Sequence, residues 1–255
     1  MIIDNDVIKR LITILTMSVV PIFTEDGNGH VSDTDRGAGF IVLAQGRFFL
    51  VSAGHVLKKA QKGQKLFIPM TGRTLDPSRL VFAPGDVDIA IYDLGIRWPL
   101  TRLPDKVPLR LEHLSPQALP QDERLWGPKD QKWVYLISGF PAADDQIGQN
   151  ARGMTSTGYL YGGVDLGAQI YAELPHLDLD IHLAFNHIGT EFNELPPPDG
   201  MSGSPVWLAL EDGEDTSNPK PFSVIGVFIE YWPEHQAAVA VHINEVVKLI
   251  SQFSK

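Results

Sequence analysis

Residues 196–208 read PPPDGMSGSPVWL. Three prolines stiffen the approach, Gly-Met-Ser-Gly-Ser-Pro makes a turn, and an apolar, strand-like run follows. Glycine and serine are ordinary turn residues, so the segment can be a plain glycine-rich turn. It also suits a serine nucleophile. Gly200 and Gly203 tolerate positive φ and close backbone approach, which lets the N–H groups of Gly200 and Ser202 converge on one developing oxyanion. Ser202 acts only if a base takes its proton and a third group orients that base.

The best base is His55. FFLVSAGHVL is a buried strand that ends in Ser52-Ala53-Gly54, and small residues there let a histidine project from a tight bend. A core histidine, or one capping a helix start, gives the same local pattern. The best orienter is Asp88 in GDVDIAIYDL, an acid placed directly before an apolar strand. Asp86 and Asp93 compete with it, and a turn aspartate is the ordinary reading of this Gly-Asp context.

Outward from these points the chain reads as many short strands. GAGFIVLAQGRFFLVSAGHV is a hairpin with Gln45-Gly46 near its turn. QKLFIPM, RLVFAP and DIAIYDL follow, each bounded by Gly, Pro or Asp. Six prolines break residues 99–130 into an extended connection. KWVYLISGFP, TSTGYLYGG, AQIYAEL, DIHLAFN, SPVWLAL and FSVIGVFIEYW form a second set of strands. LEDGEDTSNPK, residues 210–220, has the composition of an exposed hairpin loop. Ile8, Leu11, Ile12 and Leu15 recur at helix spacing, so an amphipathic helix leads into a first strand, MSVVPIF. In AAVAVHINEVVKLISQF a strand passes into a helix from about Asn244. The expected architecture is all-β. The two sets of strands suggest two β-barrels or sandwiches: residues 1–125 carry the N-terminal helix, the first set and the connection, and residues 126–255 carry the second set and a C-terminal helix.

The 255 residues carry 21 Lys plus Arg against 31 Asp plus Glu, a formal charge of −10, with no basic run. That balance argues against nucleic acid as a partner, because phosphate binding needs a basic patch. No apolar stretch is long enough for a membrane span. Asp4, Asp6 and the lack of a small-residue cleavage site argue against a targeting segment. There is no cysteine, which rules out disulfides and thiolate chemistry and fits a cytoplasmic location better than a secreted or periplasmic one.

VSAGHV, DIAI and GMSGSP, in that order, resemble the histidine, aspartate and nucleophile boxes of chymotrypsin-fold serine peptidases. GAGFIV and SGFP resemble strands of the bacterial trypsin-like and HtrA-like members, and VIGVFIEYW resembles the strand that lines the substrate cleft. The resemblance spans about residues 17–250. It implies two antiparallel β-barrels of the chymotrypsin type, with a catalytic triad of His55, Asp88 and Ser202 between them. It also implies an oxyanion hole of Gly200 and Ser202 backbone N–H groups, and acyl transfer to Ser202 from a protein or peptide substrate. No metal or cofactor is implied.

Three departures qualify that expectation. Met201 stands where secreted trypsins carry the aspartate that pairs with a newly cut N-terminus, so activation by cleavage is not expected. Pro196 stands at about the place of the trypsin pocket acid, and Ile229, Glu230 and Tyr231 replace a glycine-rich wall. A preference for small or medium apolar side chains follows, rather than for Lys or Arg. The chain ends at Lys255 without a PDZ-like extension, which argues against an HtrA-like oligomer; restraint would then come from loops or a regulatory protein partner.

Other readings fit less well. An α/β-hydrolase needs Gly-x-Ser-x-Gly between strand and helix, with His235 or His242 after the serine; here Ser204-Pro205 and a β-rich run follow. A metal site would have to use His182, His187 and Glu191, without a His-Glu-x-x-His signature. The strongest rival is a protease-fold protein that binds partners through a gated or inactive site.

Overall fold

The structure is a computed structural model that describes residues 13–25, 31–68, 73–96, 106–114, 133–141, 159–163, 166, 169–186, 198–210 and 222–254. Most of the proposed N-terminal helix, most of the connection around 99–130, residues 211–220 of the expected hairpin loop 210–220, Pro196, His187 and Glu191 lie outside these residues. So does the expected boundary at 125/126.

Residues 13–16 form a helical turn, closed by the Met17 N–H on the Thr13 carbonyl (3.2 Å), and Leu15 is buried. The first barrel then takes β1 (Val19–Glu25), β2 (Val31–Ala44), β3 (Arg47–Ala53), β4 (Lys65–Ile68), β5 (Arg73–Thr74), β6 (Leu80–Phe82) and β7 (Ile89–Gly95). They lie in the order β5-β4-β1-β2-β3-β7-β6. A two-residue strand, β8 (Leu109–Arg110), adds in parallel to β2. The β2–β3 hairpin turns at Gln45 (φ 52°) and Gly46 (φ 71°). Two successive left-handed residues match the right-handed twist of the strands they join.

The second barrel comprises β9 (Trp133–Gly139), β10 (Tyr159–Gly163), β11 (His182–Asn186), β12 (Pro205–Leu210), β13 (Phe222–Trp232) and β14 (Ala237–His242), in the order β10-β9-β12-β13-β14-β11. Its pairs are antiparallel throughout. A side chain at Gly163 would run into the Asn186 carbonyl, so the glycine lets β10 come close against β11 and the sheet curls on itself. Two curled sheets of this kind make the double barrel of the chymotrypsin type.

One core joins the barrels. Phe40, Leu50, Val51 and Ile91 of the first pack in the same cluster as Val224, Val227, Val239 and Val241 of the second. A second cluster fills the second barrel with Tyr135, Ile137, Tyr161, Phe185, Met201 and Phe228. The C-terminal helix α3 (Ile243–Ser251) starts one residue earlier than expected, because the His242 side chain accepts the Asn244 N–H as its cap. Val246, Leu249 and Ile250 face the shared core, and Phe253 reaches Phe49 of the first barrel edge-on (5.1 Å).

Two expectations are corrected. AQIYAEL is not a strand; residues Gln169–Glu173 form a short helix, α2. Ile170 and Leu174 are buried one turn apart while Ala172 is exposed, which is helical and not strand spacing. The connection is also more than a link. Its described part adds β8 to the first barrel, and Leu114 bridges Val224 of the second.

Candidate active site

The β3–β7 ladder sets the first half of the site. Ala53 lies opposite Ile89, so the residues just past β3 face the residue just before β7. Gly54 is the first residue of helix α1 (Gly54–Gln61) and donates its N–H to the Asp88 carbonyl (2.9 Å). A Cβ there would lie 2.9 Å from Asp88 Oδ1, so only glycine permits this approach.

His55 comes second in the helix, where a backbone N–H has no intrahelical partner. That N–H donates to Asp88 Oδ1 (2.6 Å), while the ring Nδ1 meets Asp88 Oδ2 (2.6 Å). One carboxylate therefore holds the main chain and the imidazole of the same residue. A carboxylate only accepts, so Nδ1 carries a proton, and in the neutral imidazole Nε2 is the nitrogen with the lone pair. The His55 side chain is 49% exposed and Asp88 29%. Of the rival acids, Asp93 pairs with Arg47 and caps the Gly95 N–H at the far end of β7, while Asp86 is exposed on the same cleft and makes no hydrogen bond to His55.

The second half is the turn before β12. The Met201 N–H returns to the Pro198 carbonyl (3.0 Å), and Gly200 at φ 82° takes the third position of a type II turn. A further turn joins the Ser204 N–H to the Met201 carbonyl (2.9 Å). Met201 is wholly buried in the second barrel's core, and Gly203, at φ 99°, donates to the Phe228 carbonyl (2.7 Å). A Cβ on Gly203 would strike the Ala38 carbonyl and the Ser52 hydroxyl of the first barrel. The backbone N–H groups of Gly200 and Ser202 make no hydrogen bond among the described residues, so both remain open to a ligand.

The Ser202 hydroxyl donates to the Ile229 carbonyl (2.9 Å), and no hydrogen bond joins it to His55. The acceptor is supplied by a bulge. Phe228 pairs with Ala240 and Glu230 with Val239, which leaves Ile229 as the extra residue with its carbonyl off the ladder.

His55, Asp88, Gly200, Ser202, Ile229, Glu230 and Tyr231 all line one cleft of about 1120 Å³. Ile229 packs into the inter-barrel core, Tyr231 rests on the second barrel's core, and the Glu230 carboxylate is 39% exposed. A further part of the lining, His176, Leu177, Asp178, Ile181 and His182, was not foreseen. It follows the Leu174-Pro175 break that ends α2, and that dipeptide is the signal that marked it. His176 lies 3.6 Å from Glu230 and 4.9 Å from the Trp232 ring. His182 accepts the Asp178 N–H at Nδ1 (2.9 Å), and burial holds its pKa below the usual histidine range.

Among the described residues no group of three His, Asp or Glu side chains is placed to hold a metal. His242 caps α3, and His235 faces Glu173 (3.4 Å). No described helix is long and apolar enough to cross a membrane.

No family model matches the chain, and no curated protein matches it in sequence. Among solved structures, an inactivated protease paralogue from the scabies mite superposes with a TM-score of 0.51 at 18% identity, over 94% of this chain and 95% of that one. The tobacco vein mottling virus protease gives a TM-score of 0.47 at 10% identity, over 91% and 79%. The first of these likenesses supports the fold and leaves the chemistry to the site.

Proposed function

We propose that this chain is a serine endopeptidase of the bacterial trypsin-like type, acting in the cytoplasm on peptide bonds. The observation that carries the reading is the two-point hold of Asp88 on His55, on the same cleft as Ser202 and two open N–H groups. Rotation about the Ser202 Cα–Cβ bond moves Oγ from the Ile229 carbonyl to another staggered position. Oγ then adds to the substrate carbonyl carbon as its proton passes to His55 Nε2. The N–H groups of Gly200 and Ser202 hold the oxyanion. Collapse expels the amine, which takes the proton from His55, and leaves an acyl-Ser202. Water then adds to the acyl carbon as one of its protons passes to His55, and collapse frees the acid while Ser202 Oγ takes that proton back.

Met201 supports a turn that stands without a new N-terminus, because an apolar side chain anchors it. Bulk at Ile229 and Tyr231 supports a pocket for small or medium apolar side chains. One observation favours a second reading, a gated or partner-binding protein: the Ser202 hydroxyl rests on Ile229 rather than on His55. The test is digestion of a denatured protein mixture, with new N-termini read by mass spectrometry. The peptidase reading expects cleavages that Ser202→Ala abolishes; identical N-termini from both proteins defeat it.

A further inference from the structure

Resting on the peptidase reading, we infer that Glu230 selects a Lys or Arg side chain of the substrate at a position flanking the scissile residue. Glu230 follows directly on Ile229, whose carbonyl holds the Ser202 hydroxyl, and it lines the same cleft as Ser202 and His55. The β13–β14 bulge offsets Ile229 from the ladder just before it. Ile229 is buried, whereas the Glu230 carboxylate opens to the cleft.

Its surroundings suit a cation. Nε2 of His176 faces one carboxylate oxygen at 3.6 Å, beyond hydrogen-bond reach, and the other oxygen has no partner among the described residues. The imidazole of His176 packs against the Trp232 ring at 4.9 Å, which holds it beside Glu230 and leaves the open carboxylate oxygen to the cleft. A carboxylate with an open oxygen is the partner that ammonium and guanidinium groups pair with. Asp86, Asp178 and Asp199 also line the cleft, and no described lining residue is Lys or Arg. The histidines His55, His176 and His182 are the only basic side chains in the described lining, so the acidic side chains dominate it, which draws in basic segments and repels acidic ones. The residue that carries the scissile carbonyl meets a different wall, made by buried Pro198, Phe228 and Ile229 beside Ser202. The cation is therefore read at a neighbouring position.

The experiment is a positional-scanning library of internally quenched peptides, assayed at low salt with the wild type, Glu230→Gln and Glu230→Lys. Ser202→Ala is tested in parallel for binding of a Lys-containing peptide and its norleucine analogue by fluorescence anisotropy. The wild type is expected to favour Lys or Arg over norleucine by about fivefold at one flanking position, the size of an exposed ion pair. Glu230→Gln erases that ratio and Glu230→Lys inverts it. Ser202→Ala binds the Lys peptide more tightly by the same factor. Cleavage without that preference, or with one that survives Glu230→Gln, overturns the inference and leaves the peptidase standing. No cleavage but cation-selective binding removes the peptidase reading and keeps the selectivity. Neither cleavage nor selective binding removes both.

Discussion

The backbone N–H of Ala38 donates to the carbonyl of Ser202 at 2.8 Å, so the first barrel holds the peptide unit of the nucleophile proposed on the second. The Ser52 hydroxyl donates to the Ala38 carbonyl (2.6 Å), and Gly203 fills the narrow space left between them. The two halves of the site are thus joined through backbone, while the Ser202 hydroxyl itself rests on Ile229.

Gly203→Ala tests that joint. The φ of 99° disfavours any Cβ by at least about 1 kcal/mol, and the clash with Ala38 adds to this. Urea denaturation is expected to show the loss, and labelling of Ser202 to fall with it. A variant as stable and as reactive as the wild type speaks against the joint.

Asp88→Asn separates fold from chemistry. The amide oxygen still accepts one N–H from His55, so the protein stays folded. The carboxylate that fixes the Nδ1–H tautomer is gone. Acylation of Ser202 is expected to slow by about four orders of magnitude with thermal stability little changed. A loss of less than tenfold says that Asp88 does not orient the base.

Met201→Asp probes the anchor of the nucleophile turn. Met201 is wholly buried among Tyr135, Ile137, Tyr161 and Phe228. An unpaired carboxylate there costs several kcal/mol, whereas Met201→Leu costs less than about 1.5 kcal/mol. Equal stability of the two variants in thermal melts counts against an apolar anchor.

His182 gives a pH dependence. Burial lowers its folded-state pKa, so the unfolded chain takes up the proton first as pH falls. Stability from this residue is intact above the ordinary histidine value of about 6.5 and drains away as pH drops below it. His182→Asn keeps an acceptor for the Asp178 N–H and removes the titration. Between pH 7.5 and 5.5 its melting temperature should fall less than that of the wild type; a parallel or steeper fall contradicts the burial argument.

Local pattern carried much of the fold. β13 is bounded by Pro221 and Pro233 and matches FSVIGVFIEYW end to end, and Gln45-Gly46 marks the β2–β3 turn because its two left-handed residues are a local requirement. His55 and Asp88 were legible because each sits at a strand end where small or turn residues leave room. The short helix at Gln169–Glu173 was not, since Ile170, Ala172 and Leu174 alternate as a strand would and only burial shows the turn-by-turn spacing. The His176–His182 lining, the β8 pairing and the Leu114–Val224 bridge depend on chain segments meeting from a distance, which no window of sequence records. The Ser202 rotamer depends on the Ile229 bulge, another non-local feature.

The central claim is that His55 activates Ser202. The most direct measurement is covalent labelling of the folded chain by a fluorophosphonate probe, with the adduct mapped by mass spectrometry beside Ser202→Ala and His55→Ala. The account predicts one adduct, on Ser202, absent from Ser202→Ala and strongly reduced in His55→Ala. An unlabelled Ser202 in the folded wild type, or equal labelling in His55→Ala, contradicts it.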